Sequence, residues 1–528
     1  MPRTPFRYTW ADWRGRLPYQ RYLDREDRPR RLAAQALSLV TLILGSVYLV
    51  WLAGQVAKTR GAPDFLFLAA EILAFALLMI LGGDIWRLRY HRPEGLPLPD
   101  HRPTVDIFVP TCGEPLSVLR TTLKAVARID YQPVTVYILD DAASPAVEAL
   151  ALSLGFQYLS RLREGLSRRD AKGGNLNFGL SRSQGELILV LDADQVPTPD
   201  ILARTVGFFR LPKVAFVQSK QSFLLPEGDP FFNRDEIFYE VVQSSNDQAN
   251  AVISCGSGVV YRRQALLEMG GFATWNLVED FTTSYELVSR GWKGLYFPYA
   301  LSRGLAPATL AGVYRQRFQW SLDTMRLFFW DNPLGKPGLT WNQRMHFLLV
   351  MVSYLVSGLV LPIFYLVPLI SYWRGYSCLQ GSEWQYVVLR GVYLLATVLM
   401  FRYLFYHKDA LKQFKMLCGL FPVYFLAILA ALYYPPGRKP AYWPNNGQVS
   451  SASRPAWLYL APQLLLIIFH LFLPFLSLHL GWSTPKMVVF NAFFSAFTIW
   501  VLADLVLECL STPAWQPELD PRQVYGSS

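Results

Sequence analysis

"LILVLDADQVPTPD", residues 187–200, sets two acids one residue apart at the end of an apolar run. Leu187 to Leu191 reads as a buried strand, because the run is short, continuous and closed by turn residues. A carboxylate at the carboxyl end of such a strand is costly unless a positive group, usually a metal, meets it. Asp192 and Asp194 therefore mark a site, and the strand that carries them implies a sheet.

"VDIFV" (105–109), "VTVYIL" (134–139) and "VAFVQ" (214–218) have the same character. Between them, "LSVLRTTLKAVARI" (116–129) and "NLNFGLSRS" (175–183) carry helical spacing. This alternation predicts a mostly parallel sheet with helices on both faces. Nucleotides bind such sheets at the carboxyl ends of the strands. Asp140 and Asp141 follow the second strand, so four carboxylates share one rim. A lone D-x-D is more often a solvated turn, but "LDDAAS" (139–144) reverses that balance. A hard cation would use one or two of these acids and bridge to a substrate diphosphate. It would neutralise charge on a departing diphosphate as a Lewis acid.

With 52% apolar and 15% aromatic residues in 528, the chain reads as a membrane protein. Leu32–Gly54, Phe65–Gly83, Phe347–Ile370, Val387–Tyr406, Met416–Tyr434, Trp457–Leu480 and Met487–Leu507 are apolar stretches, most with the ~20 residues a crossing needs. The polar region from about Asp100 to Leu339 is large enough for its own core. The first 31 residues hold nine arginines and four acids without a cleavable-signal pattern, which makes this end cytoplasmic. Two crossings return the chain to that side at "RLRYHR" (87–92). The net charge of +11 then reflects basic flanks, and no basic stripe interleaved with aromatics points to nucleic acid. Five scattered cysteines without a C-x-x-C pair argue against a zinc site or a disulfide framework.

Basic residues flank Met416–Tyr434 on both sides, in "HKDALKQFK" (407–415) and "GRK" (437–439). A true span is basic mainly on one side. The stretch therefore reads as an interfacial or re-entrant pair broken near Pro422, giving six spans and a cytosolic C-terminus, with seven spans as the alternative. Glu71 and His470 lie within spans. Intramembrane acids default to a functional reading, but hydrogen-bonded packing roles weigh at least as much for both. Elsewhere, Glu279 and Asp280 open a helix in "GGFATWNLVEDFTTSYELVSRGWKGLYFP" (270–298), where acids ordinarily serve as dipole partners. "YRQRFQWSLDTMRLFFW" (314–330) reads as an amphipathic helix on the bilayer surface, and as more besides.

Together "DDAAS", "DAD", "VED" and "QRFQW" resemble the D,D,D,Q-x-x-R-W pattern of processive family 2 glycosyltransferases, in particular bacterial cellulose synthase catalytic subunits. "AKGGNLNFGL" (171–180) is similar to the family's K-x-G-N-L-N segment and "SCGSG" (254–258) to its F-F-C-G-S. The resemblance runs roughly from 30 to 510. It implies an α/β GT-A (Rossmann-like) cytosolic domain inserted between transmembrane helices of a polytopic protein in the bacterial inner membrane. The expected parts are a basic segment (1–31), two spans (32–90), the GT-A domain (91–312), interface helices with QRFQW (313–345), two spans (346–406), an interfacial helix with a gating-loop-like segment (407–455), two spans (456–510) and a tail (511–528).

The resemblance also implies roles. Asp280 would be the general base of a metal-dependent inverting hexosyltransferase. Asp140, Asp141, Lys172, Asp192, Gln316 and Arg317 would hold the UDP-sugar donor, and Asp192 and Asp194 the Mg2+ or Mn2+. Cys255, Gly256, Ser257, Glu279 and Trp320 would receive the growing β-glycan. An indole suits a sugar's C–H face. Departures accompany these matches. Gln319 replaces the motif arginine and cannot offer a charge-assisted fork, with Arg315 or Arg317 as the candidates to compensate. "VED" replaces T-E-D, "QSK" (218–220) replaces Q-T-P, and "GRKPAYWPNNGQ" (437–448) stands for the gating loop F-x-V-T-x-K. No PilZ-like domain follows the last span, so control by cyclic-di-GMP through this chain is not expected.

The leading expectation is a synthase that polymerises a β-glucan from UDP-glucose, β-1,4 cellulose-like or β-1,3 curdlan-like, and passes it through the membrane. The alternative is single transfer of a sugar to a membrane lipid. A transporter or scaffold with a dead domain is disfavoured because every acid is present. Partners are the donor, the glycan, the bilayer and accessory subunits of the periplasm or outer envelope.

Overall fold

The computed structural model describes residues 28–59, 61–87, 98–225, 231–233, 235, 237–307, 309–375, 379, 382–404, 410–440 and 456–511. Most of the basic N-terminal segment, "RLRYHR" beyond Arg87, the gating-loop-like tip after Pro440 and the tail after Ser511 lie outside the described residues.

Two apolar helices, α1 (Arg28–Thr59) and α2 (Ala62–Arg87), come first. The domain then runs β1 (Val105–Thr111), α3 (Leu116–Val126), β2 (Val134–Asp140), α4 (Pro145–Ser153), β3 (Gln157–Leu159), α5 (Ala171–Arg182), β4 (Leu187–Val190), β5 (Val196–Pro197), α6 (Ile201–Thr205) and β6 (Val214–Leu224). It continues with α7 (Gln243–Ala249), β7 (Val259–Arg262), α8 (Arg263–Met269), α9 (Glu279–Ser289) and β8 (Lys293–Leu305). The eight strands form one sheet in the order β3-β2-β1-β4-β7-β6-β8-β5.

All four strands read from the sequence are present, as are both helices between them. β1 and β4 are buried along their whole length, which explains their unbroken apolar character. Each fully buried Val, Leu or Ile contributes roughly 1.5–3 kcal/mol. Helices cover both faces: Leu119, Leu123 and Val147 pack on one side, Leu176, Leu180 and Leu266 on the other. β3, β2, β1 and β4 are parallel, and their register sets Thr111 beside Asp140 and Phe108 beside Val190. The carboxyl ends of β1, β2 and β4 therefore make one rim.

Beyond β4 the sheet departs from the expected parallel arrangement. β7 runs antiparallel to both β4 and β6, and β5 antiparallel to β8. Val190 pairs with Val259, so the start of β7 lies at the end of β4. This reversal brings "SCGSG" onto the same rim as Asp192. Apolar alternation carries no strand direction.

Past the domain come α10 (Leu310–Trp330), α11 (Trp341–Leu355) and α12 (Leu361–Arg374), the last two joined by a π turn at Val356–Val360. Trp341–Arg374 is thus one continuous helix of 34 residues. Its first turns are built into the domain. Gln343 donates to the Asn250 carbonyl at 3.1 Å, His346 Nδ1 lies 3.1 Å from Asn246 Oδ1, and Phe347 meets Tyr285 edge-on. Then follow α13 (Glu383–Leu404), α14 (Ala410–Gly419), α15 (Phe421–Tyr433), α16 (Ala456–Tyr459), α17 (Ala461–His479) and α18 (Pro485–Ser511). Among the described residues six helices are long and apolar enough to cross a membrane.

α14 and α15 are not one straight span, since the pair is bent by 53° at Leu420, two residues before Pro422. Lys412–Glu508 (2.9 Å) and Lys415–Asp504 (3.0 Å) pin α14 to the end of α18. Glu71 pairs with Arg390 at 2.6 Å, and Phe67, Phe364 and Tyr386 surround the guanidinium. His470 bridges Ser495 Oγ (2.9 Å) and the Tyr365 carbonyl (3.0 Å), a satisfied histidine between α12, α17 and α18.

Candidate active site

The two acids that end the β4 run stand on the rim with Lys172, from the first turn of α5. Lys172 Nζ lies 2.6 Å from Asp192 Oδ1 and 3.2 Å from Glu279 Oε1, and donates to the Gly256 carbonyl at 2.8 Å. Burial works against this ammonium, but Asp192 and Glu279 outweigh it and hold its pKa well above the ordinary lysine value. The Asp192 N–H donates to Ser257 Oγ at 2.9 Å. Asp194 is pushed up to about 7, first by burial and then by Asp192 and Glu114. Glu114, absent from the sequence reading, accepts from Thr111 Oγ1 at 2.5 Å and the Cys112 N–H at 2.7 Å.

Asp140 and Asp141 are more deeply held than a solvated turn would be. Asp140 is fully buried, and its oxygens accept from the Ala142 and Ser144 N–H groups at 2.7 Å and from Tyr158 OH at 2.8 Å. Asp141 meets Arg161 in a bidentate fork of 2.7 and 2.6 Å. Arg161 also donates to the Arg169 and Ala171 carbonyls at 2.6 and 2.8 Å, so one guanidinium ties the Asp pair to the segment that delivers Lys172. Lys439, in the "GRK" stretch, pairs with Asp170 just ahead of that segment.

Cys255, Gly256 and Ser257 form a loop shaped by two glutamines of β6. Gln218 accepts the Cys255 N–H at 2.7 Å and donates to the Ser257 carbonyl at 2.9 Å. Gln221 donates to the Cys255 carbonyl and is itself held by Tyr239, both at 2.8 Å. Burial, followed by Asp280, pushes the Cys255 thiol above its ordinary value, so it packs as a neutral group. Gly256 has φ +77°, and a Cβ there would lie 2.9 Å from Asp280 Oδ2 and 3.0 Å from Lys172 Nζ. On the roles the resemblance implies, Gly256→Ala is therefore expected to lower kcat about 100-fold by displacing both groups, and to weaken UDP binding as well, because Lys172 also holds Asp192. Steady-state transfer rates beside UDP binding would check it.

Asp280 stands in the first turn of α9, where its Oδ1 accepts the Phe281 N–H at 2.6 Å. Burial and then Glu279 push it up to about 8, while Lys172 and that N–H pull the other way. α10 carries Gln316 and Trp320 four residues apart, hence on one face. The Arg317 guanidinium lies 4.7 Å from the Trp320 ring centre and pairs with Asp235 at 2.7 Å. Gln319 is buried. Asp280, Glu279, Lys172, Asp192 and Gly256 are thus brought together, whereas Arg317 is committed to Asp235 and the indole.

Asp192 and Asp194 fit a hard cation by donor chemistry. They are carboxylates one residue apart, and burial and neighbouring negative charge raise Asp194 in the absence of a metal. No group of three or more His, Cys, Asp or Glu side chains able to hold a metal occurs among the described residues. Substrate oxygens would complete such a shell.

Residues 102–322 match the family described as "Glycosyltransferase like family 2". The chain is 34% identical over 348 residues to "Cellulose synthase 1" of Komagataeibacter xylinus, covering 62% of this chain and 22% of that protein. It is 34% identical over 336 residues to the UDP-forming cellulose synthase catalytic subunit of Xanthomonas axonopodis pv. citri, covering 60% and 45%. The same subunit of Pseudomonas fluorescens matches at 34% over 366 residues, covering 65% and 48%. The chain thus spans about a fifth to a half of the length of the curated relatives it matches. Among solved structures, a mannosyltransferase from Pyrobaculum calidifontis in complex with GDP-Man and Mn2+ superposes with a TM-score of 0.51 at 20% identity, covering 70% of this chain and 98% of that one. The domain has a GT-A-like fold flanked by apolar helices, the architecture of a polytopic membrane protein.

Proposed function

We propose, for a chain whose residues 102–322 form a glycosyltransferase family 2 domain, that it is a processive inverting synthase of the bacterial inner membrane. It extends a cellulose-like β-glucan from UDP-glucose on the cytosolic side and passes it through its own helices. One observation carries this reading: a single ammonium, Lys172, touches the D-x-D, the helix bearing Asp280 and the loop 255–257. Donor, base and acceptor groups thereby meet within one side chain's reach. Supporting the processive step, Trp320 lies on α10, which leads directly into the membrane helices.

In the reaction, the acceptor hydroxyl oxygen attacks the anomeric carbon of the donor from the face opposite the diphosphate. The carbon–oxygen bond to UDP breaks, UDP leaves with the electron pair, and Asp280 takes the hydroxyl proton as the new bond forms. Concerted removal means that a carboxylate suffices as base. One displacement inverts an α-linked donor to a β-linked product. Asp192 and Asp194 would hold Mg2+ or Mn2+, which supplies Lewis-acid stabilisation of the leaving diphosphate. Lys172 and Glu279 orient these groups, and Trp320 stacks the terminal sugar.

The test is sugar incorporation by protein in lipid nanodiscs from labelled UDP-glucose, UDP-GlcNAc and GDP-mannose. Products are divided between organic extract and insoluble polymer. Polymer from UDP-glucose is expected, degraded by a β-1,4-glucanase rather than a β-1,3-glucanase, lost on EDTA treatment and restored by Mg2+ or Mn2+. Label confined to the organic extract would overturn processivity in favour of single transfer to a lipid.

A further inference from the structure

α9, the helix that presents Asp280, begins without a cap of its own. Val278 occupies the capping position and has no side-chain acceptor. The two residues just ahead of it are held by an acceptor from α10. Asp323 Oδ1 accepts the Leu277 N–H at 3.2 Å, and Oδ2 accepts the Val278 N–H at 2.5 Å. The Asp323 carbonyl takes Asn276 Nδ2 at 3.0 Å. Three residues on, the fully buried Arg326 donates to Asn276 Oδ1 at 2.8 Å and the Trp275 carbonyl at 3.3 Å. Its remaining N–H groups reach the Tyr434, Pro435 and Arg438 carbonyls at 2.9–3.4 Å. Residues 275–278 are thus clamped to α10 by one carboxylate and one guanidinium.

Asp323 is only 5% exposed, and burial pushes it up to about 7 against the pull of the two N–H groups. The two N–H groups it accepts lie just ahead of α9, whereas a Ser or Thr in place of Val278 would accept from residue 280 or 281, so no local cap replaces this link. The link from α10 to residues 277–278 fixes the base relative to Gln316 and Trp320.

We propose that Asp323 is a positioning residue for sugar transfer, setting Asp280 against the acceptor platform by fastening residues 277–278 to the helix that carries Trp320. This rests on the reading of Asp280 as the general base. Asp323 touches no reacting atom, so its loss acts on kcat through geometry and leaves donor binding alone.

The experiment compares Asp323→Asn, Asp323→Ala, Asp280→Asn, the double variant Asp280→Asn/Asp323→Asn, and Asp323→Ala/Val278→Thr in nanodiscs. It measures polymer formation, KM for UDP-glucose, UDP affinity and thermal midpoint. Asp323→Asn and Asp323→Ala are expected to lose about 100-fold in kcat, with KM and UDP affinity within about twofold of the parent. The double variant should be no slower than Asp280→Asn. Val278→Thr adds an acceptor for the first turn of α9 and is expected to raise the thermal midpoint of Asp323→Ala, without restoring kcat, because it does not hold residues 277–278 to α10. Recovery of both would show that Asp323 acts through the stability of α9 alone and overturn the proposal. Wild-type kcat in Asp323→Asn beside an inactive Asp280→Asn would overturn it while leaving the base intact. An active Asp280→Asn would instead overturn the base assignment itself.

Discussion

Asp280→Asn is expected to stop glycan formation while UDP still binds. The amide is nearly isosteric but cannot take a proton, so the loss is the full contribution of general-base catalysis, about 10²–10⁴-fold in kcat. Lys172 keeps its contacts with Asp192, Glu279 and the Gly256 carbonyl in the variant, which is why donor binding survives. The pH dependence follows from the same group. Asp280 must be ionised to act, and burial and then Glu279 raise its pKa to about 8. The acid limb of kcat/KM, which reports the free enzyme, is therefore expected in the neutral to mildly alkaline range. Activity rises with pH through that limb and fades below it, where the carboxyl is protonated. A limb near pH 4 would show that Asp280 is not the titrating base.

Arg161→Met is expected to destabilise the domain by roughly 3–5 kcal/mol, the cost of leaving one partner of a buried ion pair alone. Both members are almost fully buried, and the fork uses both oxygens of Asp141. The same change strips the Arg169 and Ala171 carbonyls of their donor. Removing both charges, as in Arg161→Met/Asp141→Leu, should be less damaging than the single change, because no uncompensated charge is left behind. Thermal or denaturant melts of purified protein in detergent would give the order, and equal stability of single and double variants would contradict it.

The D-x-D was legible because its strand is buried on both faces and reads as an unbroken apolar run. The Asp pair was legible from the apolar, β-branched run ahead of it, although β2 is only partly buried in its first half. The direction of β7 was not, although it decides that Gly256 stands on the rim, because apolar content is blind to strand polarity. Asp106 shows a related limit. It is a buried acid on β1, yet Arg263 and the Gly185 N–H hold it at the opposite end of the sheet from Asp192. Long-range partners were invisible throughout: Arg161 for Asp141, Asp323 for the base helix, Arg390 for Glu71. Each joins segments far apart in the chain, and no local spacing announces the pairing. Tyr239 and the two glutamines of "QSKQ" belong to this class too, since their role exists only once the loop 255–257 lies across them.

The helix from Trp341 to Arg374 has 34 residues, about 51 Å of rise, against a hydrocarbon core of about 30 Å. On the proposed topology roughly 20 Å of it exceeds what a crossing needs, and Gln343, His346 and Phe347 are set into the catalytic domain. It works as a mast. The domain cannot drift from the bilayer by flexing a linker, so its height above the lipid is set by the length of one rigid element. Tilting is one way such a helix meets a thinner or thicker membrane, and the sheet fastened to its first turns would lean with it. Bilayer thickness then becomes a quantity that the catalytic rim experiences as an angle.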